Sequence, residues 1–316
     1  MKKILTLLLT LVATTGLWAY DFAVGDVYVY YNRIGESSVE VTSKIPYAGD
    51  FSAIESYDCY TGDIVIPRTV TYNSKAYTVR SIGKYAFIKS SGLVSVVISD
   101  GVQSIGTGAF VKCTSLRSVT IPSSVKSIGE SAFAECSSLR SITIPSGITS
   151  IAASVFYRCY SLDSVVIPNS VTRIEEYAFY ACKSLSSITI PKSVRSIGNW
   201  AFMYCSSLKS ITLCEGLTSI GARAFEGCTS LSSITLCEGL TSIEGNAFEG
   251  CTSLSSITIP TSVTNLGSSV FYNCKSLTEI NYDGTKAQWE AVNLGWSWNG
   301  NSGIKVIRCT DGEIVL

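Results

Sequence analysis

Ile105-Gly106-Thr107-Gly108-Ala109-Phe110-Val111-Lys112-Cys113-Thr114-Ser115-Leu116-Arg117-Ser118-Val119-Thr120-Ile121-Pro122-Ser123-Ser124-Val125-Lys126-Ser127 decides the fold, because Ile128-Gly129 starts the same phrase again. The first position recurs at Ile82, Ile105, Ile128, Ile151, Ile174, Ile197, Ile220, Ile243 and Leu266, always 23 residues apart. Five residues on stands Phe87, Phe110, Phe133, Phe156, Phe179, Phe202, Phe225, Phe248 and Phe271. Three further comes Cys113, Cys136, Cys159, Cys182, Cys205, Cys228, Cys251 and Cys274, with Ser90 in the first copy. Three further again is Leu93, Leu116, Leu139, Leu162, Leu185, Leu208, Leu231, Leu254 and Leu277. No insertion or deletion interrupts the nine copies, as expected where each unit must stay in register with its neighbours.

Within one unit, Ser118-Val119-Thr120-Ile121 alternates polar and β-branched apolar residues. This predicts a short strand with Val119 and Ile121 inward and Ser118 and Thr120 outward. Pro122 ends it, having no N–H for a ladder. Ala109, Cys113 and Leu116 fall four and three apart, which predicts a single turn of α- or 3₁₀-helix over Ala109–Leu116 facing the same core. One unit cannot bury its own apolar side. Stacking units about 4.8 Å apart gives a parallel sheet and a continuous core. The expected architecture is an α/β repeat solenoid of about nine turns, a horseshoe or slightly curved stack, with the sheet on one side and short helical turns on the other.

The rest of the composition narrows function. Among 316 residues, 24 Lys and Arg balance 24 Asp and Glu, so nothing points to nucleic acid or an anionic membrane surface. The absence of His removes the commonest general base and the commonest metal ligand. No phosphate-binding loop, metal cluster or nucleophile–base pair stands out. The expectation is therefore no enzyme, no catalytic residue, no metal and no cofactor. Lys2 and Lys3 followed by the apolar run Ile4 to Ala13, with Ala19 as the last residue before cleavage, read as an export signal. No other segment is long and apolar enough to span a bilayer.

The unit Leu116-x-x-Val119-x-Ile121-Pro122-x-x-Val125-x-x-Ile128-Gly129-x-x-Ala132-Phe133-x-x-Cys136-x-x-Leu139 resembles the BspA-like class of bacterial leucine-rich repeats. Its first half is the general leucine-rich core; its second half is specific to the class. The stretches Gly62 to Val79 and Tyr282 to Trp289 resemble segments that precede and follow such arrays. Cys214 and Cys237 replace the Pro after the strand, and Ala152, Glu175 and Glu244 replace the Gly. The resemblance implies an exported protein, extracellular or on the cell surface or outer envelope, that binds macromolecules. The implied partner is a protein (of host extracellular matrix or of a microbial surface) or a glycan, with adhesion as the expected role. A structural, self-assembling envelope module is the alternative. The expected organisation is a signal peptide at 1–19, a β-rich N-terminal cap at 20–80, the solenoid at 81–282 and a C-terminal cap at 283–316. Ala287 to Asn293 is expected to be a short helix, with Trp289 covering the last turn.

Twelve cysteines in an exported chain raise the question of disulfides. The eight ladder cysteines would lie about 4.8 Å apart with parallel side chains. That is wide of the roughly 3.5–4.5 Å Cβ separation a disulfide needs, so they read as small core residues. Cys214 and Cys237 share the strand-end position on neighbouring turns, and whether they pair stays open. Cys59 and Cys309 lie in opposite terminal regions and are expected not to meet.

In a stacked array the outward columns carry the individuality. The strand face is bland, with Ser95, Ser118, Ser141, Ser164, Ser187, Ser210, Ser233 and Ser256 in one column. Arg117 and Arg140 add positive charge at its edge. Turns four to six instead place Tyr157, Tyr160, Tyr177, Tyr180, Trp200, Met203 and Tyr204 at surface-type positions. Residue types of this kind are enriched at binding hot spots. Tyr157, Tyr177, Tyr180, Trp200, Met203, Tyr204, Arg117 and Arg140 are the candidate partner-binding residues. Ala224 to Thr235 recurs unchanged as Ala247 to Thr258, a duplication that a binding surface tolerates more readily than an active site.

Overall fold

The computed structural model describes residues 22–24, 29–43, 60–213 and 215–316. The expected signal peptide, Cys59 and Cys214 lie outside the described residues.

The chain coils into a solenoid whose turns are joined by two parallel ladders. The first is the expected one: Ser187–Thr189, Ser210–Thr212, Ser233–Thr235 and Ser256–Ile259 pair in register, with Ser on Ser and Ile on Ile. In these short strands the middle residue is buried and its neighbours are exposed, the outcome of a two-residue side-chain period on a half-buried sheet. The second is made of two-residue strands at the recurring Ser-Ile step, such as Ser196–Ile197 on Ser219–Ile220. The close stacking explains the glycine that follows. A Cβ on Gly106 would meet Lys84 N at 2.7 Å, and one on Gly129 would meet Thr107 N at 2.5 Å.

The expected helical turn over Ala109–Leu116 does not form. The segment is a run of tight turns. Alternate amides close bonds within it, Ala109 N–H to Gly106 O at 3.2 Å, Val111 to Gly108 at 3.0 Å and Cys113 to Phe110 at 3.1 Å. The amides between them donate along the axis to the next turn: Gly108 to Glu130 O at 2.8 Å, Phe110 to Ala132 O at 2.7 Å and Lys112 to Ala134 O at 2.8 Å. An α-helix would turn every amide onto itself and, being about 10 Å across, would hold the turns apart. The ribbon of turns satisfies the backbone while keeping strand-like spacing. Among the described residues the only α-helix is Lys286–Glu290, and no helix is long and apolar enough to cross a membrane.

Inside, the nine phenylalanines form one column. Successive rings stack with centroids 4.9 to 5.8 Å apart and planes within 21° of parallel. All nine are fully buried. The column ends on other aromatics, Tyr60 against Phe87 at 4.5 Å and Trp298 edge-on to Phe271 at 6.4 Å. Beside it runs a thiol ladder: each cysteine donates its S–H to the carbonyl of the phenylalanine one turn back, from Cys113 to Phe87 O at 3.0 Å through Cys274 to Phe248 O at 3.0 Å. These eight cysteines are buried and not disulfide-bonded. Burial pushes up the thiols from Cys136 to Cys274, to about 12 for Cys205 and Cys274.

At the N-terminal end Val29–Arg33 pairs antiparallel with Ser38–Thr42, which runs parallel to Lys75–Ile82. At the other end the chain adds a further, longer turn. Asn293–Leu294 continues the second ladder, and Val306–Cys309 continues the first before folding back antiparallel onto Gly312–Val315. The extra length holds the helix, which starts on a capping box: Gln288 N–H to Thr285 Oγ1 at 3.3 Å and Thr285 N–H to Gln288 Oε1 at 2.8 Å. The helix is shorter than expected and stops at Glu290, because Asn293 is drawn into the ladder. Trp289 is buried against Trp298 and Tyr282.

Candidate binding surface

The ribbon of turns places two residues per repeat in the left-handed backbone region. One column is Tyr85, Gly108, Ser131, Ser154, Tyr177, Trp200, Arg223, Asn246 and Ser269; the other is Lys89, Lys112, Glu135, Arg158, Ala181, Tyr204, Gly227, Gly250 and Asn273. The non-glycine members have φ between 54° and 62°. No Val, Ile or Thr occurs in either column, as the steric cost of a branched Cβ there requires. Each non-glycine residue so placed costs on the order of 1–3 kcal/mol. Tyr177, Trp200 and Tyr204 therefore occupy posts where glycine would be less strained.

These aromatics meet across turns four to six. Tyr157 stacks on Tyr180 with centroids 4.8 Å apart, and Tyr177 stacks on Trp200 at 4.9 Å. Tyr177 stands edge-on to Tyr180 at 5.8 Å, and Tyr180 edge-on to Tyr204 at 5.7 Å, so the two stacks form one cluster. Tyr157, Tyr177, Tyr180 and Trp200 are half-buried; Tyr160 and Tyr204 are exposed. Burial raises the phenols of Tyr157, Tyr177 and Tyr204.

Met203 is a correction. It is buried, in the column that also holds buried Ala134 and Glu226, so it belongs beneath the patch and not to its surface. Tyr180 and Glu226 flank it on adjacent turns, and Trp200 and Tyr204 flank it in sequence, which leaves its unbranched side chain little exposure. Arg117 and Arg140 are exposed and stacked on neighbouring turns, Arg140 N–H donating to Arg117 O at 3.4 Å. They stand at the edge of the strand face, and the cations laid over the aromatic patch are others: Arg158 over Tyr157 at 5.0 Å and Lys183 over Tyr160 at 5.1 Å. Sequence reasoning missed these two. Their signal was a cation one residue after Tyr157 and one turn after Tyr160, in columns adjoining the aromatic one.

Below the cluster a groove of about 460 Å³ opens between turns four and seven. Turn four contributes Arg158 and Tyr160, turn five Tyr180, Ala181 and Lys183, turn six Tyr204 and Ser206, and turn seven Gly227 and Thr229. It exists because Ala181 and Gly227 are small where their column neighbours Arg158 and Tyr204 are large. A Cβ on Gly227 would strike the Tyr204 ring at 2.5 Å, so that ring lies over the glycine. The nearby carboxylate, Glu226, is buried and engaged by Arg223 at 2.9 Å and by the Tyr204 hydroxyl. Burial raises its pKa and Arg223 opposes that rise.

The BspA type leucine-rich repeat region matches residues 57–186 and 172–291. The chain belongs to the BspA type leucine-rich repeat family. Among solved structures, this BspA-type chain is 27% identical to a leucine rich cell surface protein from Faecalibacterium prausnitzii A2-165, covering 86% of this chain and 97% of that one with a TM-score of 0.47. It is 26% identical to a leucine-rich repeat protein from Bacteroides ovatus ATCC 8483, covering 92% and 88% with a TM-score of 0.47. No curated protein matches the chain.

Proposed function

We propose that this BspA-type solenoid is a non-catalytic binding protein, exported to the cell surface or beyond, that adheres to host or microbial macromolecules through the aromatic cluster of turns four to six. The observation that carries the reading is the clustering of Tyr177, Trp200 and Tyr204 at left-handed backbone positions, with Tyr177 stacked on Trp200 and joined through Tyr180 to Tyr204. Bulky residues kept at strained, partly exposed posts have a use other than stability. Large, stiff aromatic side chains give contact area at low entropic cost. The segments before turn one and after turn nine serve, in this reading, as caps that keep the ladder ends from pairing with other chains.

The test is binding of the mature protein to an array of extracellular matrix proteins and glycans, beside the variant Tyr180→Ser/Trp200→Ser/Tyr204→Ser. The expected result is saturable binding to at least one ligand, lost in a variant whose circular dichroism is unchanged. Unaltered binding by that variant would remove the aromatic surface from the account. No binding across the array, with concentration-dependent self-association, would favour a self-assembling envelope module.

A further inference from the structure

We infer that the groove beside the aromatic cluster takes an acidic glycan, with sugar rings against Tyr160, Tyr180 and Tyr204 and its carboxylate or sulfate groups on Arg158 and Lys183. This rests on the reading of the aromatic face as the contact surface, and adds the chemistry of what is bound there.

Charge comes first. The chain is electrically balanced, yet the groove is lined by two cations and no carboxylate. Two other cations of the ribbon are matched with acids, Lys112 with Glu135 at 3.8 Å and Arg223 with Glu226 at 2.9 Å. Arg158 and Lys183 make no ion pair among the described residues. Each is instead held over a tyrosine ring, which fixes its position and leaves its donors for a ligand anion.

The lining then favours a sugar over an acidic peptide. An extended peptide would need either a free main-chain edge or an apolar pocket for a side-chain anchor. The ribbon offers no edge, since Arg158, Tyr204 and Gly227 already donate their amides to Tyr180, Glu226 and Glu249 on the next turns. The groove floor, Ala181 and Gly227, is shallow and small. What remains is aromatic faces bordered by hydroxyls. That combination suits a pyranose ring, whose C–H face packs on an aromatic plane while its rim hydroxyls take hydrogen bonds. The volume lies within the range of small-ligand sites.

The experiment is titration calorimetry of the full mature chain with four polymers: polygalacturonate, chondroitin sulfate, dextran and poly-glutamate. Binding to polygalacturonate or chondroitin sulfate, weakened by added NaCl and absent for dextran and poly-glutamate, is expected. Desulfated chondroitin, which keeps the uronate carboxylates, set beside chondroitin sulfate distinguishes carboxylate from sulfate as the recognised group. Arg158→Ala/Lys183→Ala lowers the affinity for the acidic glycan by about tenfold or more; Ala181→Leu, which fills the floor and removes no charge, also lowers it. Equal binding of dextran or poly-glutamate, or an unchanged double variant, would overturn the assignment. So would failure of all four polymers; if the Tyr180/Trp200/Tyr204 variant then still loses another macromolecular ligand, the wider reading of the aromatic surface stands without it.

Discussion

Turns seven and eight and turns three and four are written in the same columns but stack differently. Between seven and eight, Phe225 and Phe248 lie 5.4 Å apart with planes 4° from parallel, and both ladders run through unbroken. Between three and four, Phe133 and Phe156 open to 5.8 Å and the Ser-Ile ladder is interrupted, Ser127–Ile128 not pairing with Ser150–Ile151, although Ser141–Thr143 still pairs with Ser164–Val166. Ala152 stands in the glycine column there, and it alone makes no amide bond to the turn before; Gly129 donates to Ile105 O and Glu175 to Ile151 O. Val155 replaces the usual alanine beside the phenylalanine. The other turn with Val in that place, at Val270, shows the same 5.8 Å spacing but keeps Gly267 and its bond to Ile243 O. One intrusion widens the stack, and two together break the Ser-Ile ladder. A small apolar void lined by Ile128, Ile148, Val155 and Phe156 marks the place. The lesson is that register is set by a few inward columns, whereas outward columns are free to change: the loosened turn four is also where the aromatic surface begins.

The largest expected effect is on the phenylalanine column. Phe225→Ala should cost about 3–5 kcal/mol, and Phe156→Ala about 1 kcal/mol less, because its cavity forms where packing is already loose. Urea unfolding of both variants followed by fluorescence checks this; equal losses would show that the two junctions are energetically alike. Next, Ala224→Val should cost about 1–3 kcal/mol by overpacking the tight stack. The reverse pair, Ala152→Gly/Val155→Ala, should bring the amide of residue 152 into a bond to Ile128 O and raise its hydrogen-exchange protection above that of the wild type.

The smallest effect concerns the thiols, whose bonds ignore the difference between the regions: 3.1 Å at Cys159 and 3.2 Å at Cys251. Burial raises both thiols far above their ordinary values. The folded chain thus keeps protons that the unfolded chain sheds above about pH 8.5, so the thiols leave stability unchanged below that pH and lower it as pH climbs beyond it. Replacing Cys159 or Cys251 by Ala should reduce this alkaline slope equally in urea midpoints taken from pH 7 to 11. A steeper change at one site would mean that the ladder is not uniform.

Much of this was legible in the sequence. The unbroken 23-residue period fixed the register of strands such as Ser210–Thr212, and spacing alone kept the eight cysteines out of disulfides. The ribbon was misread because Ala109, Cys113 and Leu116 recur at helical intervals, and consecutive tight turns give the same intervals. The contrary signal was present in Gly108, Gly227, Gly250, Asn246 and Asn273, residues that tolerate left-handed backbone and recur in two columns four apart. The aromatic positions could be read from their columns, but Met203 could not be told from its exposed neighbours, since burial there depends on side chains from adjacent turns. The groove was invisible for the same reason: it is a gap left by Ala181 and Gly227 among residues distant in sequence.

The most direct test of the central claim, that binding belongs to the turn ribbon and not to the hydroxyl-lined sheet, compares two folded variants against one ligand bound by the wild type. One is Tyr180→Ser/Trp200→Ser/Tyr204→Ser; the other, on the strand face, is Thr189→Arg/Thr212→Arg. The account predicts that the first loses binding and the second keeps it. Loss in the second with binding retained in the first would contradict it and move the site to the sheet.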